Sequence, residues 1–128
     1  MSQGLSAEII RFVLTSVPSV PYLEALLLIR AEPARGWTSA DIARRLYLSE
    51  KNARELIDEL IVAGIATAIY GETLHVRYQP IDDSLRERLD QLAQAYSIHL
   101  IEVTRLIHSK ADRNAQHFAD AFKWRKED

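Results

Sequence analysis

The sequence predicts a mainly α-helical chain with one small β hairpin, and a single stretch carries that expectation through three features. Between Trp37 and Gln79, two short helical patterns are separated by a tight gap. The second of them ends at a glycine, and a two-stranded pattern follows directly. Helix, turn, capped helix, glycine and hairpin within about forty residues is the order of parts of a winged helix-turn-helix. The complete expectation adds an N-terminal helix before this unit and a long C-terminal dimerisation helix after it.

Each element has a local physical reason. Ser6 caps a first helix, Ala7 to Ser16, whose apolar face is Ile9, Ile10, Val13, Leu14 and Val17. Pro18 and Pro21 interrupt, because proline disfavours helix at the preceding residue and suits the first turn of the next helix. Ser19-Val20-Pro21 therefore starts a second helix, Tyr22 to Ala31. Its LEALLLI centre is apolar nearly all round, which marks a sandwiched core helix. After the loop Glu32–Gly36, Thr38 or Ser39 caps a third helix, Ser39 to Leu46, with Ile42, Ala43 and Leu46 on one face. Leu48 and Ser49 make the turn, and Ser49 caps a fourth helix, Ser49 to Ala63. Ala53, Leu56, Ile57, Leu60 and Ile61 form its stripe, and Gly64 stops it as a left-handed C′ residue. Ala66–Tyr70 and Thr73–Tyr78 are rich in β-branched and aromatic residues, with Gly71-Glu72 as the hairpin turn.

A long helix is expected from Ser84 to Lys110. Leu85, Leu89, Leu92, Tyr96, Leu100, Val103 and Ile107 recur at steps of 4, 3, 4, 4, 3 and 4, an eleven-residue repeat suited to straight or slightly right-handed pairing. From Ala95 onward Ile98, Ile101 and Leu106 form a second apolar set, so the helix has two packing partners. One is its own domain. The other is a second subunit in a two-fold homodimer, the commonest small assembly, with the first set as interface; the alternative cover is the N-terminal helix of the same chain. In the tail, Ala115, Phe118, Ala119 and Phe122 predict a short amphipathic helix. Lys123-Trp124-Arg125-Lys126 reads more simply as its cationic C-terminal end than as a nucleic-acid contact. Residues 1–80 are thus expected to form a winged-helix domain with its N-terminal helix, and residues 81–128 a dimerisation segment of the same structural unit.

Composition narrows the chemistry. With 128 residues the chain suits one domain with a real core. It has no cysteine, hence no disulfide framework, thiolate zinc site or cysteine nucleophile. The N-terminus lacks a secretion signal and no apolar run could span a bilayer, so a cytoplasmic protein is expected. No glycine-rich phosphate loop occurs. His108 and Asp112 could share a helical face, but His75, His99 and His117 do not converge with them by spacing. No metal, cofactor or catalytic residue is therefore expected, and the chain does not read as an enzyme.

Residues Tyr22–Tyr78, in the words LEALLLIRAEP, TSADIARRLYLSEKNARELIDELIVAGI and AIYGETLHVRYQ, resemble the winged helix-turn-helix domains of bacterial transcriptional regulators. The type is broadly that of the multiple-antibiotic-resistance and arsenic repressors. The remainder, from VTRLIHSK to the end, is similar to a group of small bacterial winged-helix proteins. The resemblance implies that the second helix of the turn enters the major groove of double-stranded DNA while the wing reaches toward the minor groove or backbone. It makes Ser49, Lys51, Asn52, Arg54 and Glu55 the reading face, Thr38, Ser39 and Arg45 phosphate contacts, and Arg77 a contact near the wing. The implied function is a sequence-specific DNA-binding transcriptional regulator acting as a homodimer.

Two departures from that pattern support an alternative. Between Trp37 and Pro80 five basic residues (Arg44, Arg45, Lys51, Arg54, Arg77) face six acidic ones (Asp41, Glu50, Glu55, Asp58, Glu59, Glu72). The wing tip is Tyr70-Gly71-Glu72, where DNA-reading wings usually carry Arg or Lys. The alternative is a winged-helix interaction module that uses the Glu55/Asp58 face to bind a protein. Lys51, Asn52 and Arg54 in the first turns of the helix keep DNA ahead.

Overall fold

A computed structural model describes residues 4–109 of the chain. Its elements are α1 (Ala7–Ser16), α2 (Val20–Ala31), α3 (Ser39–Leu46), α4 (Glu50–Val62), β1 (Ala66–Ile69), β2 (His75–Tyr78) and α5 (Asp83–Ile98). A further helical run, α6, covers residues 100–109. The expected amphipathic tail, the basic end and the His108–Asp112 pair reach outside the described residues.

Side-chain caps start four of these helices, Asp82 Oδ1 accepting from the Leu85 N–H at 2.8 Å before α5. Ser6 Oγ accepts from the Ile9 N–H at 3.1 Å, and Ser49 Oγ accepts from the Asn52 N–H at 3.0 Å. Thr38, rather than Ser39, caps α3 in a full capping box. Its hydroxyl accepts from the Asp41 N–H at 3.0 Å, while the Asp41 carboxylate accepts from the Thr38 N–H at 3.1 Å.

The two helix-turn-helix elements end alike. The Leu48 N–H reaches back to the Ala43 carbonyl at 2.9 Å, and the Ile65 N–H to the Leu60 carbonyl at 3.0 Å. This six-to-one closure requires a left-handed residue at the helix end. Gly64 supplies it after α4 with φ of 78°, and Tyr47 supplies it after α3 with φ of 58°. Glycine takes that conformation without strain, whereas for tyrosine it costs about 1–2 kcal/mol.

The hairpin pairs Ala66 with Tyr78, Thr67 with Arg77, Ala68 with Val76 and Ile69 with His75, antiparallel. Val76 and Tyr78 point inward and are buried, while His75 and Arg77 are half-buried, the period-two pattern of a strand with one covered face. On its other edge β2 receives a bridge from Trp37, whose N–H and C=O exchange bonds with Val76 at 2.8 Å each. The hairpin is therefore anchored to the residue just before the α3 cap.

The chain divides into two compact units. One is residues 21–93, the three core helices, hairpin and first part of α5. Leu23, Leu26, Ile29, Trp37, Ile42, Leu60, Val76, Leu89 and Leu92 are its largest fully buried side chains. Burial pushes the Tyr22 phenol up to about 12, with Glu59 adding to the shift. Arg30 on α2 bonds Asp90 on α5 at 3.0 Å within this unit. The other unit joins α1 to the described segment from Gln94 to residue 109, and Ile9, Val13, Val17, Val103 and Ile107 are its buried apolar side chains there.

The expected single helix from Ser84 to Lys110 is corrected: α5 starts at Asp83, and the helical run is interrupted at His99. The residues around the break explain it. Ser97 Oγ bonds the Gln94 carbonyl at 2.7 Å, a local bond that competes with the backbone ladder. Ile98, Ile101, Val103 and Thr104 add β-branched side chains that fit a helix poorly. Among the described residues no single helix is long and apolar enough to cross a membrane.

Gly64 gives a direct test of the helix end. A Cβ there would lie 2.9 Å from Ile81 Cγ2 in a backbone that L side chains rarely adopt. Gly64→Ala is expected to lower stability by about 1–2 kcal/mol in urea denaturation with an unchanged m-value.

Candidate nucleic-acid interface

The capped start of α4 decides which side chains face out. Ala53, Leu56, Ile57 and Leu60 are buried, so the helical period leaves Glu50, Lys51, Asn52, Arg54, Glu55 and Asp58 exposed. Lys51 and Arg54 have no salt-bridge partner among the described residues, in contrast to Arg30, Arg35 and Arg44, which pair with Asp90, Glu32 and Asp41. Unpaired cations on a rigid helix are available to phosphate or to a base edge.

Beside α4 runs a groove of about 560 Å³ between the start of α3 and the wing. Thr38, Ser39 and Ala40 line it from α3 and its cap, Glu50, Arg54 and Ile57 from α4, and Thr73, Leu74, His75 and Val76 from the wing. Three of the expected contact residues, Thr38, Ser39 and Arg54, thus share one wall system. Thr38 and Ser49 use their oxygens as caps, and each hydroxyl hydrogen remains available for donation to a phosphate.

Arg45 is not among the groove residues, but it lies against Trp37, which is. The Arg35 guanidinium carbon lies 3.6 Å from the centroid of the Trp37 ring, and that of Arg45 lies 5.5 Å away. Both are within cation–π range, and the indole holds two cations beside the α3 cap. Arg77 is not among the groove residues; it bonds Gln79 Oε1 at 3.2 Å on β2.

The sequence reading missed Arg35 and Trp37 as parts of this surface. A period-two alternation in Arg35-Gly36-Trp37 would have placed Arg35 and Trp37 on one side of an extended segment. His75 Nδ1 contacts the Thr73 carbonyl at 2.9 Å, and His75 Cβ would sit 3.3 Å from a Cβ on Gly36, so the glycine lets the wing approach the loop before α3.

The residues expected at a dimer interface divide. Leu89, Leu92, Val103 and Ile107 are buried within the single chain, because its own packing takes the first apolar face. Leu85 and Tyr96 are half-buried, and Leu100 is exposed at 52%. Next to Leu100, Ile98 at 65% and Ile101 at 64% are open, so the exposed apolar residues lie at the helix break rather than along the whole helix.

Among the described residues no three His, Cys, Asp or Glu side chains gather to hold a metal ion. A surface of capped helices, unpaired cations and a wing-side groove fits binding to an anionic polymer.

This arrangement is that of a winged helix-turn-helix. The solved structures similar to it include transcription regulators and a multiple antibiotic-resistance repressor (MarR). The MarR repressor of Listeria monocytogenes matches with a TM-score of 0.51 and 15% identity, over 94% of this chain and 78% of its own. MepR, a transcription regulator of the Staphylococcus aureus multidrug efflux pump MepA, matches with a TM-score of 0.51 and 15% identity, over 94% of this chain and 90% of its own. Its F27L mutant bound to an oligodeoxyribonucleotide matches with a TM-score of 0.54 and 14% identity, over 94% and 89%. No protein-family model matches the sequence, and a comparison with curated proteins finds no significant match. At these identities the likeness is one of fold.

The α3 cap carries a pH signature. The Thr38 N–H bonded to Asp41, opposed by burial and aided by Arg44 and Arg35, holds the Asp41 carboxyl below its usual range. A depressed folded pKa means this stabilisation is complete above the unfolded aspartate pKa and is lost as pH falls through the folded value. The melting-temperature gap between wild type and Asp41→Asn is expected to narrow steadily below about pH 4. A gap that stays constant in melts from pH 6 to pH 3 would show that the carboxylate's charge is not involved.

Proposed function

We propose that this chain is a sequence-specific DNA-binding transcription regulator that acts as a homodimer. The observation that carries the reading is the exposed start of α4, where Lys51, Asn52 and Arg54 project from a capped helix whose opposite face is fixed in the core. In a helix-turn-helix the N-terminal residues of the second helix are the ones that reach base edges in the major groove. The DNA-bound state of MepR, a protein of the same fold, supports the same use here. Lys51, Asn52 and Arg54 read bases, Ser49, Thr38, Ser39 and Arg45 hold phosphates, and Arg77 steadies the wing.

The partner in the homodimer is a second copy meeting the apolar residues Ile98, Leu100 and Ile101, which a monomer leaves in water. Two copies would present two α4 helices to successive major grooves, and half-sites about 34 Å apart suit such a pair.

The exposed carboxylates Glu50, Glu55 and Asp58 on the same helix favour a second reading, a protein partner at the Glu55/Asp58 face. The two readings differ in sign. Replacing Glu55 and Asp58 by Gln and Asn removes repulsion from phosphate and strengthens non-specific duplex binding, but weakens a protein complex that uses those carboxylates.

Lys51→Ala and Arg54→Ala are each expected to weaken specific duplex binding by about 1–3 kcal/mol where they read a base, with relaxed preference at that position. Fluorescence anisotropy at several salt concentrations checks this, and a side chain on phosphate would instead flatten the salt dependence. For assembly, Leu100→Glu is expected to shift the sedimentation of the protein from dimer to monomer. A wild type that sediments as a monomer at tens of micromolar would remove the homodimer.

A further inference from the structure

We infer that Tyr47 is a neutral contact to the DNA sugar–phosphate backbone at the edge of the major groove, an inference that rests on the DNA-binding reading above. Tyr47 occupies the turn between α3 and α4, two residues before the Ser49 cap. Its backbone is left-handed, with φ of 58°, and its side chain is 95% exposed. The same closure after α4 uses glycine, the residue that relieves the strain. Tyr47 therefore strains the backbone and buries almost nothing in return. The folded chain by itself gives no reason for an aromatic residue here, and strain retained at an exposed turn points to a role in a bound state.

The position says what that bound state touches. When the start of a second helix lies in the major groove, the first helix crosses the backbone, and the turn joining the two sits beside the phosphates. A tyrosine hydroxyl donates to phosphate oxygen, and its ring packs on the sugar. A neutral donor suits a surface that carries five basic and six acidic residues from Trp37 to Pro80, because it adds affinity without adding charge. The contact holds register and reads no base.

Neutrality gives the test its signature. Removing a cation from a phosphate lowers the salt slope of binding by about one, whereas removing a hydroxyl releases no counterion and leaves the slope unchanged. Wild type, Tyr47→Phe, Tyr47→Asn and Arg54→Ala are titrated against a selected duplex and an unrelated one across a salt series, with thermal melts of each protein. Tyr47→Asn is expected to melt higher than wild type and to bind both duplexes about three- to ten-fold more weakly at an unchanged slope. Tyr47→Phe is expected to keep part of that affinity, because its ring remains. A Tyr47→Asn protein that is folded and binds both duplexes like wild type overturns the contact while leaving the DNA reading intact, and a loss confined to one duplex overturns the assignment to backbone. Wild type that binds neither duplex at low salt, while folded, overturns the DNA reading and this inference with it.

Discussion

The arrangement of the winged unit depends on Trp37. Its backbone exchanges two hydrogen bonds with Val76 in the middle of the wing, and its indole is fully buried. The next residue is the cap of α3, so one side chain fixes the hairpin relative to the helix-turn-helix. The indole N–H is buried with no hydrogen-bond partner among the described residues, a penalty of about 1–3 kcal/mol. Burying about 200 Å² of ring contributes about 5 kcal/mol, so packing outweighs the orphaned donor. What the residue contributes is its bulk and its π face, with Arg35 and Arg45 beside it.

That anchor also explains the groove. Pinning Val76 to Trp37 holds the second strand beside the start of α3, and Gly36 lets His75 come close. The buried stripe of α4 fixes the rotation of that helix, which sends Arg54 to the groove wall and leaves Lys51 exposed. Side-chain placement at this surface follows from two local devices, a capping box and a helical stripe, and one long-range bridge. The Arg30–Asp90 pair ties α2 to α5 in the same unit, but with Asp90 about half exposed its contribution is small.

Most of the fold was legible because its signals are local. Caps at Ser6, Thr38 and Ser49, the stripe Ala53–Leu60 and the stop at Gly64 each act within a turn or two of chain. The mainly helical class with a small hairpin follows from them, and the MarR-type structures have the same architecture. What sequence could not display is pairing between distant segments. The bridge from Trp37 to Val76 involves one residue on each side, too short for any periodicity, and the convergence of Arg35 and Arg45 on one ring follows from it. The break at His99 was hidden for another reason: the apolar spacing continues through it undisturbed, while Ser97 and the β-branched run weaken the ladder beneath. Spacing reports which face is apolar, not whether the backbone stays helical. Which apolar face the chain itself would cover was equally illegible, since Leu92 and Leu100 occupy the same pattern yet one is buried and the other open.

The even charge balance, which by composition alone argues against a nucleic-acid surface, changes meaning once partners are assigned. Asp41 is bonded to the α3 cap and to Arg44, Glu32 engages Arg35, and Asp90 engages Arg30. These carboxylates are committed within the chain, and the cations they bind are partly neutralised with them. Among the described residues, Lys51 and Arg54 are left without such partners at the start of α4, and Arg45 without a carboxylate beside Trp37. Coulomb attraction to phosphate acts over about 8 Å at physiological salt, so the local arrangement governs contact more than the sum over the domain does. Glu50, Glu55 and Asp58 remain exposed on the same helix and oppose phosphate there. Under the proposed DNA-binding reading, such a surface would depend on correct register, because a displaced duplex would meet carboxylates where a correctly placed one meets cations. If the chain binds DNA as proposed, weak bulk attraction with a few well-placed cations would lower affinity for any DNA while penalising misplaced DNA more, and that difference is what specificity requires.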